Sequence, residues 1–549
     1  MSLTGSDYQP RARRTRKAGS DPAAGVGPSS ARDAALGDAV GGAWGNGPIG
    51  PAPAVPAELR YSSAAGRWVV LATVLGSGMA GIDATVVGIA LPTIGRQFHS
   101  SVDDLQWVTN AYMLTLSGLL LIGGALGDRF GRRKLFQIGT AWFALASLVC
   151  GLAPNAPALI GARALQGAGA ALLTPGSLAI LQASFVQTDR SRAIGAWSGL
   201  SGVAMAAGPL LGGWLISAVS WRLIFLINLP VAVAVLAVSA RHVPESANPS
   251  AKGRVDVGGA VVFCAALAGL TYGLTEGAAF GWGSWVTVAA LGLGVLLLAT
   301  FVLVERARAG ALLPLDLFRS QQFSGANLVT FAVYGALGGA LFLVPIDLQQ
   351  VLRYTPLAAG MSLLPVTFLM LLLSPRSGAL AARLGPRLQM SMGPVFVGAG
   401  LALLVRVAGG GDYIRDVLPA VLVLGFGLAV TVAPLTAAVL AAAPQQHSGV
   451  ASAVNNGVAR AAALIAVAVL PSAAGLAGRS YLHPVVFSSG FHRAVVIAAG
   501  ACWLGSVLAV FTISNAGRLQ TRPGRPQEWK CGLDAPSAVS IPSSARGGR

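Results

Sequence analysis

Charge is what this 549-residue chain has least of: Asp, Glu, Lys and Arg together make up 11% of it. Soluble globular domains carry about 25%, so the chain lacks the charge to coat a water-facing surface of its size. A water-soluble enzyme is excluded. Lysine is scarce, at 17, 134, 252 and 530 alone, so that 38 basic residues less 4 lysines leaves 34 Arg. The net charge of +18 would suit nucleic acid if it formed a stripe, but the Arg residues are scattered over short links, and no nucleic-acid partner is expected. There are 4 cysteines: Cys150, Cys264 and Cys502 lie in apolar runs and Cys531 near the C-terminus. None has CxxC spacing, so they read as packing residues, with no disulfide framework. His99, His242, His447, His483 and His492 form no HExxH. A GxxxxGK[ST] phosphate loop is absent, which removes ATP as the energy source, and so is a GxSxG nucleophile turn. No catalytic constellation, metal site or cofactor site is expected.

What the chain has is apolar length. Residues AVILMFWYC account for 54%, collected into blocks at 68–92, 105–126, 135–153, 157–181, 194–217, 222–240, 257–275, 284–304, 323–350, 357–375, 389–406, 417–437, 449–470 and 493–513. Each approaches the roughly 20 residues that a helix needs to cross a bilayer, which predicts an all-α integral membrane protein with 14 transmembrane helices. Basic residues gather on alternate links: Arg129, Arg132, Arg133 and Lys134, then Arg190 and Arg192, then Arg241, Lys252 and Arg254, then Arg306, Arg308 and Arg319, then Arg376, Arg383 and Arg387. The intervening links hold fewer. By the positive-inside rule the richer links, and both tails, are cytoplasmic.

Residues 1–66 and 514–549 are polar, rich in Gly, Pro, Ala or Ser, and carry no apolar run of helical length, so they read as disordered cytoplasmic tails. Arg13-Arg14 is not followed by the apolar stretch of an export signal. An internal echo then divides the rest. Gly124-Ala125-Leu126-Gly127-Asp128-Arg129-Phe130-Gly131-Arg132-Arg133 follows the second helix, and Gly378-Ala379-Leu380-Ala381-Ala382-Arg383-Leu384-Gly385-Pro386-Arg387 follows the tenth. With two helices set aside as an insert, the segments become a six-helix half at 67–240, an insert with linker at 241–322, and a second half at 323–513.

Five segments resemble the fourteen-spanner drug:proton antiporters of the major facilitator superfamily. They are Ile82 to Pro92 in the first helix, the loop Gly124–Arg133, and Leu159, Arg163, Gln166, Gly167 and Gly169 in the fourth. The other two are Ala204 to Gly213 in the fifth, and Trp221 to Pro230 opening the sixth. The chain departs from the pattern at Gly88, at Ala204 and at Ala382, where the second loop lacks the counterpart of Asp128. The resemblance implies the major facilitator fold, two six-helix halves plus two inserted helices. It also implies a proton-coupled exporter of hydrophobic or amphipathic drug-like or antibiotic compounds at the plasma membrane, acting as a monomer on a small-molecule substrate and protons. An importer or facilitator of the same fold is the alternative.

Physical chemistry assigns the candidate residues. Asp83 stands in mid-helix among apolar neighbours, where an ionised acid is costly. It is expected to face a cavity or be protonated, and so to carry the coupled proton. Arg163 has no accessible neutral form and needs a carboxylate, carbonyls or water; it is the second coupling candidate. Asp347 reads as an interfacial or vestibule residue, and Arg460 as a static clamp between helices. In the loop, Gly124, Asp128, Arg129, Gly131, Arg132 and Arg133 supply a tight turn, a carboxylate and three guanidiniums, a latch expected to join the halves in one conformation. In the fifth helix Pro209 removes a backbone donor, while Gly208, Gly212 and Gly213 allow close approach, a hinge or tight seal.

Overall fold

The computed structural model describes residues 59–247, 256–307, 315–407, 410–443 and 448–515. The greater part of both tails, with the basic cluster around Arg13-Arg14, and Lys252, Arg254 and Arg308 lie outside the described residues. Fourteen helices are long and apolar enough to span a membrane. They are α1 Ala64–Phe98, α2 Val102–Phe130, α3 Arg132–Leu152, α4 Ala156–Ser184, α5 Gln187–Ala218, α6 Leu223–His242, α7 Val257–Phe280 and α8 Trp285–Ala307, followed by α9 Gln321–Gln350, α10 Pro356–Leu384, α11 Pro386–Arg406, α12 Tyr413–Ala441, α13 Val450–Ala473 and α14 Pro484–Thr512. Each apolar block in the sequence becomes one of them.

Local chemistry sets the ends. Ser101 and Asp104 form a reciprocal capping box at the start of α2, which satisfies two otherwise unpaired donors. Asn155 and Thr355 cap α4 and α10. Several helices outrun their apolar blocks; α14 begins at Pro484 rather than near 493, its polar His492 satisfied by a 2.7 Å bond to the Val407 carbonyl. Part of the stretch read as a tail is built into the fold: Leu59 bridges Phe185, and its N–H donates to the Ser184 carbonyl.

The outward surface is apolar. Trp285 is 80% exposed and Phe511 76%, which a helix facing water would not tolerate over such a length. Contacts inside the chain repeat in two sets. In the first, α1 packs on α5 and α6, α2 on α4, and α3 on α4 and α6; in the second, α9 packs on α13 and α14, α10 on α12, and α11 on α12 and α14. The inserted pair, α7 and α8, pack on each other, and α7 leans on α2 and α13, one helix from each half.

The echo between the two loops has a structural counterpart. Gly131 (φ 108°) and Gly385 (φ 88°) each end one helix and open the next in a backbone region that favours glycine. The Arg133 N–H donates to Glu245 Oε1 at 3.0 Å, and the Arg387 N–H donates to Asn515 Oδ1 at 3.2 Å. Thus the chain just beyond α6 caps α3, and the chain just beyond α14 caps α11.

Among the described residues, hydrogen bonds join the halves at one end only. Val102 N–H donates to the Gly478 carbonyl (2.6 Å), Tyr481 Oη to Ser100 (2.9 Å), Arg479 to His99 (2.9 Å) and Gln349 to Ile89 (2.9 Å). At the end that carries Gly131 and Gly385, no hydrogen bond joins the halves among the described residues. A Cβ at Gly195, Gly199 or Gly202 of α5 would meet nothing within 4 Å. Among the described residues, the molecule is closed at the α1–α2 end and open at the other.

Candidate functional site

Asp83 sits midway along α1 and is 1% exposed. Its two carboxylate oxygens are taken by different helices. Oδ2 accepts from Arg163 Nη1 of α4 at 2.6 Å; Oδ1 accepts from Gln166 Nε2 at 2.7 Å and from Asn228 Nδ2 of α6 at 3.3 Å. Arg163, 1% exposed, also donates to Gln166 Oε1 and to the Val108 carbonyl of α2 at 3.2 Å. Its guanidinium carbon lies 4.2 Å from the Tyr112 ring centroid, a cation–π contact. Ser147 of α3 closes the circuit, accepting from Gln166 (2.8 Å) and Asn228 (3.3 Å).

The expectation that Asp83 faces a cavity or is protonated is met by a third solution, a desolvated ion pair held in a network of five helices. Arg163 and Gln166 are three residues apart and share one helix face, which is how α4 presents both to α1. In such a site the attraction offsets desolvation only if the remaining lone pairs and protons are bonded, and here Gln166, Asn228 and the Val108 carbonyl bond them. Sequence reasoning missed Ser147 and gave no role to Gln166 or Asn228. The spacing of Gln166 from Arg163 was the available signal. Asn228 is also the polar member of a cavity of about 170 Å³ between α1, α5 and α6, otherwise lined by Val74, Ile82, Leu211, Ile227 and similar side chains.

In α5 the small residues stand where helices touch. A Cβ on Gly208 would run into Thr85 Oγ1, and one on Gly212 would lie 2.7 Å from Val86, so both let α5 press on α1. Gly213 faces the second half, where a Cβ would be 2.6 Å from Leu357 Cα of α10. Reciprocally, Gly360 of α10 abuts the Pro209 carbonyl.

The loop between α2 and α3 is tied within the first half. Asp128 pairs with Arg132, both guanidinium contacts at 2.8 Å, and Arg133 donates to the Val243 carbonyl at 3.1 Å. Gly131 lies against Glu245, which a Cβ would approach to 2.8 Å. Gly124 faces Pro175 of α4, and Arg129 lies over Phe130. The contact expected between Asp128 and the second half is not formed in this open-ended conformation, among the described residues. Glu245, which caps α3, was missed because it lies beyond α6 and no pattern near it signals a cap.

Two further readings need correction. Asp347, expected at an interface or vestibule, is 0% exposed, and neither carboxylate oxygen has a hydrogen-bond partner; α9 carries it among buried residues of the second half. Arg460, expected to clamp helices, makes no ion pair or hydrogen bond among the described residues.

A family model for the Major Facilitator Superfamily matches residues 73–468. The chain belongs to that superfamily. It is 35% identical over 422 residues to the tetracenomycin C resistance and export protein of Streptomyces glaucescens, covering 76% of this chain and 78% of that one. It is 34% identical over 485 residues to the puromycin resistance protein of Streptomyces alboniger, covering 84% and 95%. The multidrug resistance protein Stp of Mycobacterium tuberculosis is 35% identical over 404 residues, covering 73% and 75%. Among solved structures, a bacterial homologue of the human lysosomal transporter Spinster, in an inward-facing and unoccupied conformation, superposes with a TM-score of 0.59 at 14% identity, covering 84% of this chain and 98% of that one. A peptide transporter in complex with sulfate gives 0.60 at 14% identity, over 83% and 96%. These establish a multi-pass membrane transporter of the major facilitator fold.

Proposed function

We propose that the chain is a proton-coupled antiporter that exports hydrophobic or amphipathic drug-like compounds across the cell membrane by alternating access. The reading rests above all on the buried Asp83–Arg163 pair, in a chain whose relatives bear the names of resistance and export proteins. A proton arriving at Asp83 cancels the negative member of the pair and releases Arg163 from it. The five helices that meet there are then free to shift against one another. Loss of the proton on the other side restores the pair. Coupling follows because the two charge states favour different packings.

The tails and the Arg-rich links are assigned to the cytoplasm by their charge, so the open end faces inward, ready to take substrate from the cell or the inner leaflet. Gly213 and Gly360 form the outer seal, which must part when the inner end closes. Asp128 then forms the latch across the inner ends. The working units are the halves 67–240 and 323–513, joined by the insert and linker 241–322. The protein works as a monomer, carries out no covalent chemistry and uses no cofactor.

Inside-out vesicles carrying the protein, acidified internally by respiration and reporting pH with a fluorescent amine, test this. Adding a transported amphipathic compound should release protons and recover fluorescence, and a protonophore should abolish uptake. Transport without proton movement refutes antiport. Proton-driven movement in the opposite direction identifies an importer.

A further inference from the structure

The ion pair at Asp83 leaves a second guanidinium unanswered. Arg460 lies on α13, seven residues or about two turns before Val467, whose carbonyl accepts from Gln106 Nε2 of α2 at 2.5 Å. It therefore lies on the side of α13 that faces α2. Asp83 is fully occupied by Arg163, Gln166 and Asn228, and Asp347 makes no ion pair with Arg460. The α2 face opposite is polar and unsatisfied. Asn110, one turn from Gln106, is 0% exposed with neither amide atom bonded; Ser117, two turns further, is 3% exposed with its hydroxyl unbonded.

We propose that Arg460, Asn110 and Ser117 form a substrate subsite between the halves that receives an oxyanion, a carboxylate or phenolate, carried by an otherwise apolar compound. The three side chains offer a guanidinium fork, an amide N–H and a hydroxyl. An oxyanion can accept from the Arg460 fork, a bidentate contact that is the strongest of its kind, and in addition from Asn110 or Ser117, which lie about 10 Å apart along α2. An organic ammonium would meet an uncompensated positive charge. The site lies between helices of opposite halves, so a ligand there bridges the surfaces that must separate during transport. This deepens the export reading by naming a substrate class.

Equilibrium binding to the full chain in lipid nanodiscs tests it with two xanthene dyes of matched skeleton, anionic fluorescein and cationic rhodamine 123. Wild type should bind fluorescein about ten-fold more tightly than rhodamine 123, and Arg460→Gln should remove that preference. Arg460→Lys keeps the charge and the aliphatic stem but loses the fork. It should retain the preference at several-fold lower affinity, and it carries the test if the Gln variant does not fold. Unchanged fluorescein affinity in the variants, or a wild type that prefers rhodamine 123, overturns the proposal. The measurement uses no gradient. A protein that binds fluorescein yet moves no protons would sink antiport and leave this subsite standing.

Discussion

Replacing Asp83 with Asn separates what its carboxylate does for the fold from what it does for coupling. Both oxygens act as acceptors, one toward Arg163 at 2.6 Å and the other toward Gln166 at 2.7 Å. An Asn amide offers one acceptor and one donor, so one of these contacts becomes donor against donor. It also leaves Arg163, 1% exposed, without a counter-charge. Removing one partner of a buried pair costs about 3–5 kcal/mol, while replacing both by neutral groups is often near neutral. Asp83→Asn and Arg163→Gln should therefore each destabilise the detergent-solubilised protein by about that amount, and the double variant by clearly less than their sum, a coupling of about 3 kcal/mol. Denaturant unfolding of the four species supplies the cycle. Transport should separate from stability: the double variant regains the fold but cannot titrate, so uphill efflux driven by a pH gradient stays absent while downhill exchange survives. If the single effects add with no coupling, the pair does not organise the core. If the double variant pumps uphill at the wild-type rate, Asp83 does not carry the proton.

Asp128→Asn should slow transport several-fold while protein level and unfolding stay near wild type, because its partner Arg132 is partly exposed and such pairs contribute about 0–1 kcal/mol; unchanged turnover reduces the loop to a topogenic charge cluster. Gly213→Val puts side-chain atoms where Leu357 of α10 already sits, so it should open the closed end and raise labelling of a cysteine introduced beside Gly360 by an impermeant thiol reagent. Labelling no faster than in the unsubstituted background refutes the seal. A reporter active only outside the cell, fused after Asn515, should be silent, and strong activity there would break the assignment of 14 spans with both ends inside.

The number and order of spanning helices were legible because each depends only on a local run of apolar residues long enough for a bilayer. The turn at Gly131, and its echo at Gly385, were legible for the same reason, since a sharp reversal between two helices restricts the residue that can occupy it. Asp83 and Arg163 stood out singly, because a charge inside an apolar run is conspicuous wherever the run ends up.

Their union was not legible. They lie 80 residues apart, and whether they meet depends on how α1 and α4 are rotated against each other, which no periodicity in helices apolar on all sides reveals. The same uncertainty hid Ser147 and Asn228, which complete the network from α3 and α6. It also misplaced Asp347, near a helix end in the sequence yet buried by the packing of α9. Glu245 caps α3 by accepting from the Arg133 N–H, 112 residues earlier, beyond the reach of any local signal. Which end of the molecule is closed was likewise decided by tertiary contacts between the halves. Sequence by itself determined what must enter the bilayer, because transfer from water to lipid is a property of each segment. The structure alone decided which polar groups satisfy one another there, because in lipid that is a property of the faces that meet.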